Sequence, residues 1–151
     1  GGYCVLTHEL NHRWAAFTGA PLSRAAHWSF PVLARDSSAF GVDGECIMND
    51  LELYLAGLIP ADSVTAPLTA DGYTIARITS AHGPRIPSPA AAPREFTIAF
   101  NIAPSRPLLD HEMAFFQHVA RSYTSADAPP GPNWLHVTGG RSTLDGRLPL
   151  P

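Results

Sequence analysis

Three residues within five positions could do chemistry together: His8, Glu9 and His12, in the stretch LTHELNHRWAAF. Around them Val5, Leu6, Leu10, Trp14 and Phe17 recur at spacings of three and four, which predicts an amphipathic helix over residues 3–17. Gly19 and Pro21 supply its stop. On such a helix His8 and His12 lie one turn apart and project from one face. Both imidazoles can then reach a single tetrahedral zinc ion without backbone strain. Glu9 stands about 100° round the helix from His8, where its carboxylate is better placed to take a proton from water than to bind the metal. The bland alternative is an exposed helix face that carries two histidines.

A catalytic zinc site needs a third protein ligand and an open position. Glu52 is the first candidate, because NDLELYLAGLIP reads as a helix apolar nearly all round. An unpartnered buried carboxylate there is costly, and a metal is one reason for it to be present. A buried ion pair, for example with Arg13, or a bond orienting a ligating histidine explains it equally well. His27, in AAHWSF, is the other candidate, with packing beside Trp28 as the competing role. Asp36, Asp43 and Asp50 complete the set. Tyr54 and His27 can donate to an oxyanion, although Tyr54 also falls at core spacing with Leu51 and Leu58. Cys4 lies one turn before His8, but Cys4 and Cys46 are too few for a disulfide scaffold or a thiolate zinc site.

The elements that must position these residues are those of one domain. The 151 residues, 45% hydrophobic and 15% charged, suit a single core spanning 1–151. A net charge of -3 gives no electrostatic reason to expect nucleic acid or an anionic membrane. All ten basic residues are arginines, which reads as composition bias. No apolar run reaches the length of a membrane span, and no signal peptide is recognisable. The chain opens on Gly1-Gly2 with the motif close behind, so it reads as an excerpt of a longer protein or a mature form.

Residues 26–34 suggest an edge strand or extended loop broken by Pro31. The second helix is capped by Asn49 or Asp50 and closed by Gly57 and Pro60. GYTIARIT reads as a strand, and EFTIAFNIA as the best one, with Phe96, Ile98, Phe100 and Ile102 on one face. The longest helix is PLLDHEMAFFQHVARSY, with an apolar stripe of Leu109, Met113, Phe116, Ala120 and Tyr123. WLHVTGGRSTLDGRL reads as a turn and a short extended tail. HEMAF repeats half the motif with Phe115 in place of the second histidine, so His111 and His118 are expected at the surface. Arg85 and Arg141, each beside glycines, are expected to bond nearby carbonyls, with a substrate carboxylate as the alternative partner.

The arrangement is that of the H-E-x-x-H metallopeptidases. The strict metzincin extension is absent, since neither a glycine three residues after His12 nor a histidine six after it is present. Across nearly its whole length the chain resembles a group of bacterial zinc-metallopeptidase-like domains of exported proteins. HELNHRW, HWSF, LELYLAGLIP, GPRIP and TGGRSTLDGRL carry the likeness. Asn11 stands where that group has glycine, and Ala56 where it has a larger, methionine-like residue.

The resemblance implies His8 and His12 as zinc ligands and Glu9 as general base, and leaves Glu52 and His27 as alternatives for the third ligand. It implies an α+β, zincin-like fold, with the motif helix packed on further helices and a small antiparallel sheet. It also implies a peptide or protein substrate and an extracellular or cell-envelope location. The alternative function is an inactive zincin-like domain serving as a binding or structural module.

Overall fold

The computed structural model describes positions 6, 7, 9, 10, 13 and 14, the backbone at 23, 24, 27 and 28, and residues 47–64, 74–127 and 133–146. Helical backbone at 6, 7, 9, 10, 13 and 14 marks the motif helix, α1. A two-residue ladder follows, β1 (Ser23–Arg24) antiparallel to β2 (His27–Trp28). Then come α2 (Asp50–Ala56), a 3-10 turn (Ala61–Ser63) and α3 (Ile75–His82). β3 (Glu95–Ile98), α4 (Asp110–Thr124), α5 (Trp134–Val137) and β4 (Thr143–Gly146) complete the order.

The sheet expectation is corrected. β3 and β4 pair in parallel, with Phe96 opposite Leu144 and Ile98 opposite Gly146. The antiparallel pairing of β1 with β2 is two residues long and does not make the small antiparallel sheet expected of a zincin-like fold. The connection explains the direction. A tight turn returns a strand antiparallel, whereas β3 leads through α4 and α5 before β4 begins, and a crossover of that length re-enters from the same end. Helices with a short parallel sheet leave the fold a mixture of α and β.

Period-two burial in β3 and β4 puts Phe96, Ile98, Leu144 and Gly146 inward, with Glu95, Thr97, Thr143 and Asp145 outward. Gly146 is required by closeness. A Cβ there would lie 2.6 Å from Thr124 Cγ2 and 2.8 Å from Phe100 Cε2, so the end of α4 rests on the β4 backbone.

GYTIARIT is also corrected, because its centre is α3. Ile75 and Ile78 are spaced for a helix, Ile78 is buried, and Ala76 and Arg77 face out. The three-residue spacing prevails over β-branched propensity. In the tail, WLHV forms the short helix α5 instead of a turn. Asn133 accepts the His136 amide to start it, and Trp134 is fully buried.

α4 is the long helix expected, but it begins at Asp110 instead of Pro107 and runs to Thr124, and its stripe turns inward at Ala120 and Tyr123. Leu109, counted in that stripe, is instead an exposed N-cap residue. α2 is the centre of the core. Asn49 is its N-cap, Gly57 ends it in the left-handed conformation at φ 81°, and Leu51, Leu53 and Ala56 are buried with it. Each fully buried leucine contributes about 1.5–3 kcal/mol of hydrophobic stabilisation.

Candidate functional site

The motif helix meets the core through one face. Thr7 is 0% exposed, and Leu10 and Trp14 pack against the buried cluster. Glu9 and Arg13 are exposed. Those positions obey one helical phase: Glu9 lies about 200° round from Thr7 at 3.6 residues per turn. Glu9 also interacts with a further group of the protein.

Two sets of contacts hold the inner face. The Thr7 hydroxyl and the Tyr123 phenol of α4 form a buried hydrogen bond at 2.8 Å. About two turns along, the Trp14 ring packs on Phe96 of β3 at 5.3 Å and on Trp134 of α5 at 5.8 Å between centroids. Phe96 and Trp134 close the triangle edge to face at 6.0 Å. Trp134 is itself pinned, its indole N–H donating to Ser142 Oγ at 2.9 Å. Burial pushes the Tyr123 phenol up to about 12, with the Thr7 hydrogen bond pulling the other way.

Glu52 is buried, at 2% exposure, as expected from its apolar helix. Its Oε2 accepts the Asn49 backbone N–H at 2.8 Å, and the Asn49 side-chain oxygen accepts the Glu52 N–H at 2.9 Å. That is a reciprocal capping box at the start of α2. Glu52 has a further interaction beyond the box. The amide nitrogen of Asn49, Nδ2, is buried beside it without a hydrogen-bond partner.

Tyr54 lies in the core, and its hydroxyl oxygen accepts the Arg85 backbone N–H at 3.1 Å. Arg85 spends its guanidinium on carbonyls, as its setting predicts. Nε donates to Leu55 O at 2.7 Å, one terminal nitrogen to Ala56 O at 3.2 Å, and the other to Pro87 O. Burial lowers the Arg85 pKa from its ordinary value, opposed by neighbouring Tyr54. The same guanidinium covers Gly57, where a Cβ would meet it at 2.5 Å. Arg141 likewise donates to Thr138 O and Gly139 O. His111 and His118 are at the surface of α4.

His8 and His12, together with Cys4, Cys46, Asp36 and Asp43, lie outside the described residues. So does the side chain of His27, whose backbone belongs to β2. Among the described residues, no group of three or more His, Cys, Asp and Glu side chains converges in a way that could hold a metal. Of the expected third ligands, Glu52 and Asp50 are described, and Glu52 fits a zinc donor in type and burial. Holding Oε2 on a backbone N–H fixes the carboxylate plane, as outer hydrogen bonds do for ligating carboxylates. The other first-turn acid, Asp50, is half-buried at the start of α2.

Sequence reasoning missed the bond between Thr7 and Tyr123. Its signal was faint: a threonine on the apolar face of the motif helix, and a tyrosine at the end of the α4 stripe. No helix among the described residues is long and apolar enough to cross a membrane. Compared with known protein families, curated proteins and solved structures, the chain finds no match.

Proposed function

We propose that the chain is a zinc-dependent metallopeptidase domain of the H-E-x-x-H type, acting on a peptide or protein substrate. The observation that supports it most is the phase of α1. Thr7, Leu10 and Trp14 are packed inward, and Glu9 is left on the open side of the same helix. A general base must reach water and substrate, so an exposed Glu9 on a helix anchored from behind suits that role. The histidine pair flanking Glu9 at a spacing of four supplies the ligands, His8 and His12. Glu52 or His27 is the third.

Zinc, when bound, supplies a Lewis acid that makes water nucleophilic near neutral pH and polarises the scissile carbonyl. Glu9 takes the proton of the attacking water and passes it to the leaving amine. With Glu52 as third ligand, His27 is the donor to the developing oxyanion in this proposal, because the Tyr54 hydroxyl expected for that role is buried in the core against the Arg85 backbone N–H. Export from a bacterial cell, implied by the resemblance, belongs to the same proposal.

A second reading is favoured by one specific observation. The capping box gives the Glu52 carboxylate a structural purpose at the head of α2 without any metal. In that reading the domain is an inactive zincin-like module that binds a partner.

Metal content separates the two. About one zinc per purified chain, lost in His8→Ala and in one of His27→Ala and Glu52→Ala, together with hydrolysis of a fluorogenic peptide library, supports the peptidase and names its third ligand. Absence of zinc after incubation with excess zinc overturns it in favour of the module.

A further inference from the structure

We infer that Tyr123 is a positioning residue for the motif helix, its phenol hydroxyl fixing the rotation of α1 about its own axis. The inference rests on the peptidase reading and adds to it a residue 116 positions away from Thr7. A helix packed only through apolar side chains can turn by some tens of degrees with little loss of contact, because hydrophobic burial is non-directional. A hydrogen bond has a strict length and angle. The Thr7–Tyr123 bond, at 2.8 Å between groups that are 0% and 5% exposed, therefore sets the phase that burial alone leaves loose.

The geometry makes this bond the natural register mark. Thr7 immediately precedes His8 in the chain, so any rotation at Thr7 is transmitted to the His8-Glu9 dipeptide. Trp14, held by Phe96 and Trp134, restrains the other end of the helix through ring packing, which tolerates sliding. Tyr123 itself is on the last turns of a 15-residue helix whose end rests against β4 at Gly146, so its hydroxyl is presented from a rigid platform. Inserting the Thr7 hydroxyl into an apolar core is costly without a partner. The pair is thus a device that accepts one setting of α1 and rejects its neighbours.

The test uses Tyr123→Phe, Thr7→Val and the double variant, with Thr7→Ser as the conservative control that keeps the hydroxyl. Hydrogen exchange on the metal-free chain comes first. In the three hydroxyl-deficient variants, amides at 6–14 should exchange faster by about fivefold beyond any change in the core amides of α5 and β4, which report global stability. Thr7→Ser should match wild type, and the double variant should be no worse than either single one. An equal rise along the whole chain, or no rise at 6–14, overturns the inference. Next, the dissociation constant for zinc alone is measured by competition with a chromophoric chelator, and the visible spectrum is recorded with cobalt(II) alone. A weakening of about fivefold, an altered cobalt spectrum and rescue by Thr7→Ser are expected. Unchanged zinc affinity and spectrum, with α1 loosened, overturn the positioning role. A wild-type chain that takes up no zinc overturns the peptidase reading, and the exchange data still decide the clamp by themselves.

Discussion

Glu52 and Asn49 cap each other: the carboxylate accepts the Asn49 backbone N–H at 2.8 Å, and the Asn49 side-chain oxygen accepts the Glu52 N–H at 2.9 Å. The buried acid that sequence logic offers to zinc is thereby also the first fastening of α2. This double duty makes its substitutions informative. Glu52→Ala removes the acceptor and leaves a buried amide unpaired, and should destabilise the fold by about 1–3 kcal/mol. Glu52→Gln keeps an acceptor oxygen for the Asn49 amide and should recover much of that loss. Urea unfolding of both variants checks it. Zinc content then separates cap from ligand: Glu52→Gln stays folded in either case, but loses zinc only if the carboxylate is the third ligand.

Glu9→Gln should leave the thermal midpoint within about two degrees of wild type, since substitutions at exposed positions usually stay within roughly 0.5 kcal/mol and Gln keeps the size and hydrogen-bonding oxygen of the side chain. Zinc content should also be unchanged. Peptide hydrolysis should fall by about 10² to 10⁴, the usual contribution of a general base. Hydrolysis that persists at wild-type rates in this variant would remove Glu9 from the mechanism.

Tyr123 gives the protein an alkaline limit. Its phenol titrates at about 12 when folded, against 10.0 for the ordinary group. A raised folded value means that the native state holds this proton more tightly than the unfolded state does. The associated stability is complete below about pH 10 and is lost as pH rises through about 12, amounting to about 2–3 kcal/mol. Tyr123→Phe should be less stable at about pH 8, where its hydrogen bond is missed, yet should lose less on going to about pH 11. Urea midpoints at the two pH values test the sign.

Gly146→Ala should cost about 1–3 kcal/mol through overpacking. The added methyl would sit within 2.8 Å of both Thr124 and Phe100, between the end of α4 and the sheet. Gly140→Ala is a useful contrast: a Cβ there meets nothing within 4 Å, and only its φ of 74° resists the change. Thermal unfolding of the pair ranks packing against backbone strain.

By itself the sequence determined what is local. The spacing of Leu51, Tyr54 and Leu58 and the capping chemistry of Asn49 and Gly57 suffice for α2, because a helix is specified by near neighbours. The alternation of Phe96 and Ile98 likewise marks a strand, and the apolar stripe marks α4. Arg141 bonds to carbonyls of its own turn, which makes its role equally visible in one dimension, whereas Arg85 reaches the end of α2, some thirty positions away. The H-E-x-x-H spacing is local as well, and it stands as chemistry that the residue types permit.

Tertiary structure alone decided everything that depends on partners distant in sequence. Whether EFTI pairs parallel or antiparallel is set by which end of the sheet the chain re-enters after α4 and α5, and strand residues carry no record of that. Ile75 and Ile78 become a helical face because one side of that segment is buried, and β-branched propensity is too weak to oppose it. Trp134 and Trp14 meet across most of the chain's length, as do Thr7 and Tyr123. A hydrogen bond or ring contact between such residues forms only once the backbone has brought them within a few ångströms, so neither local sequence names the partner and the pairing exists only in the fold.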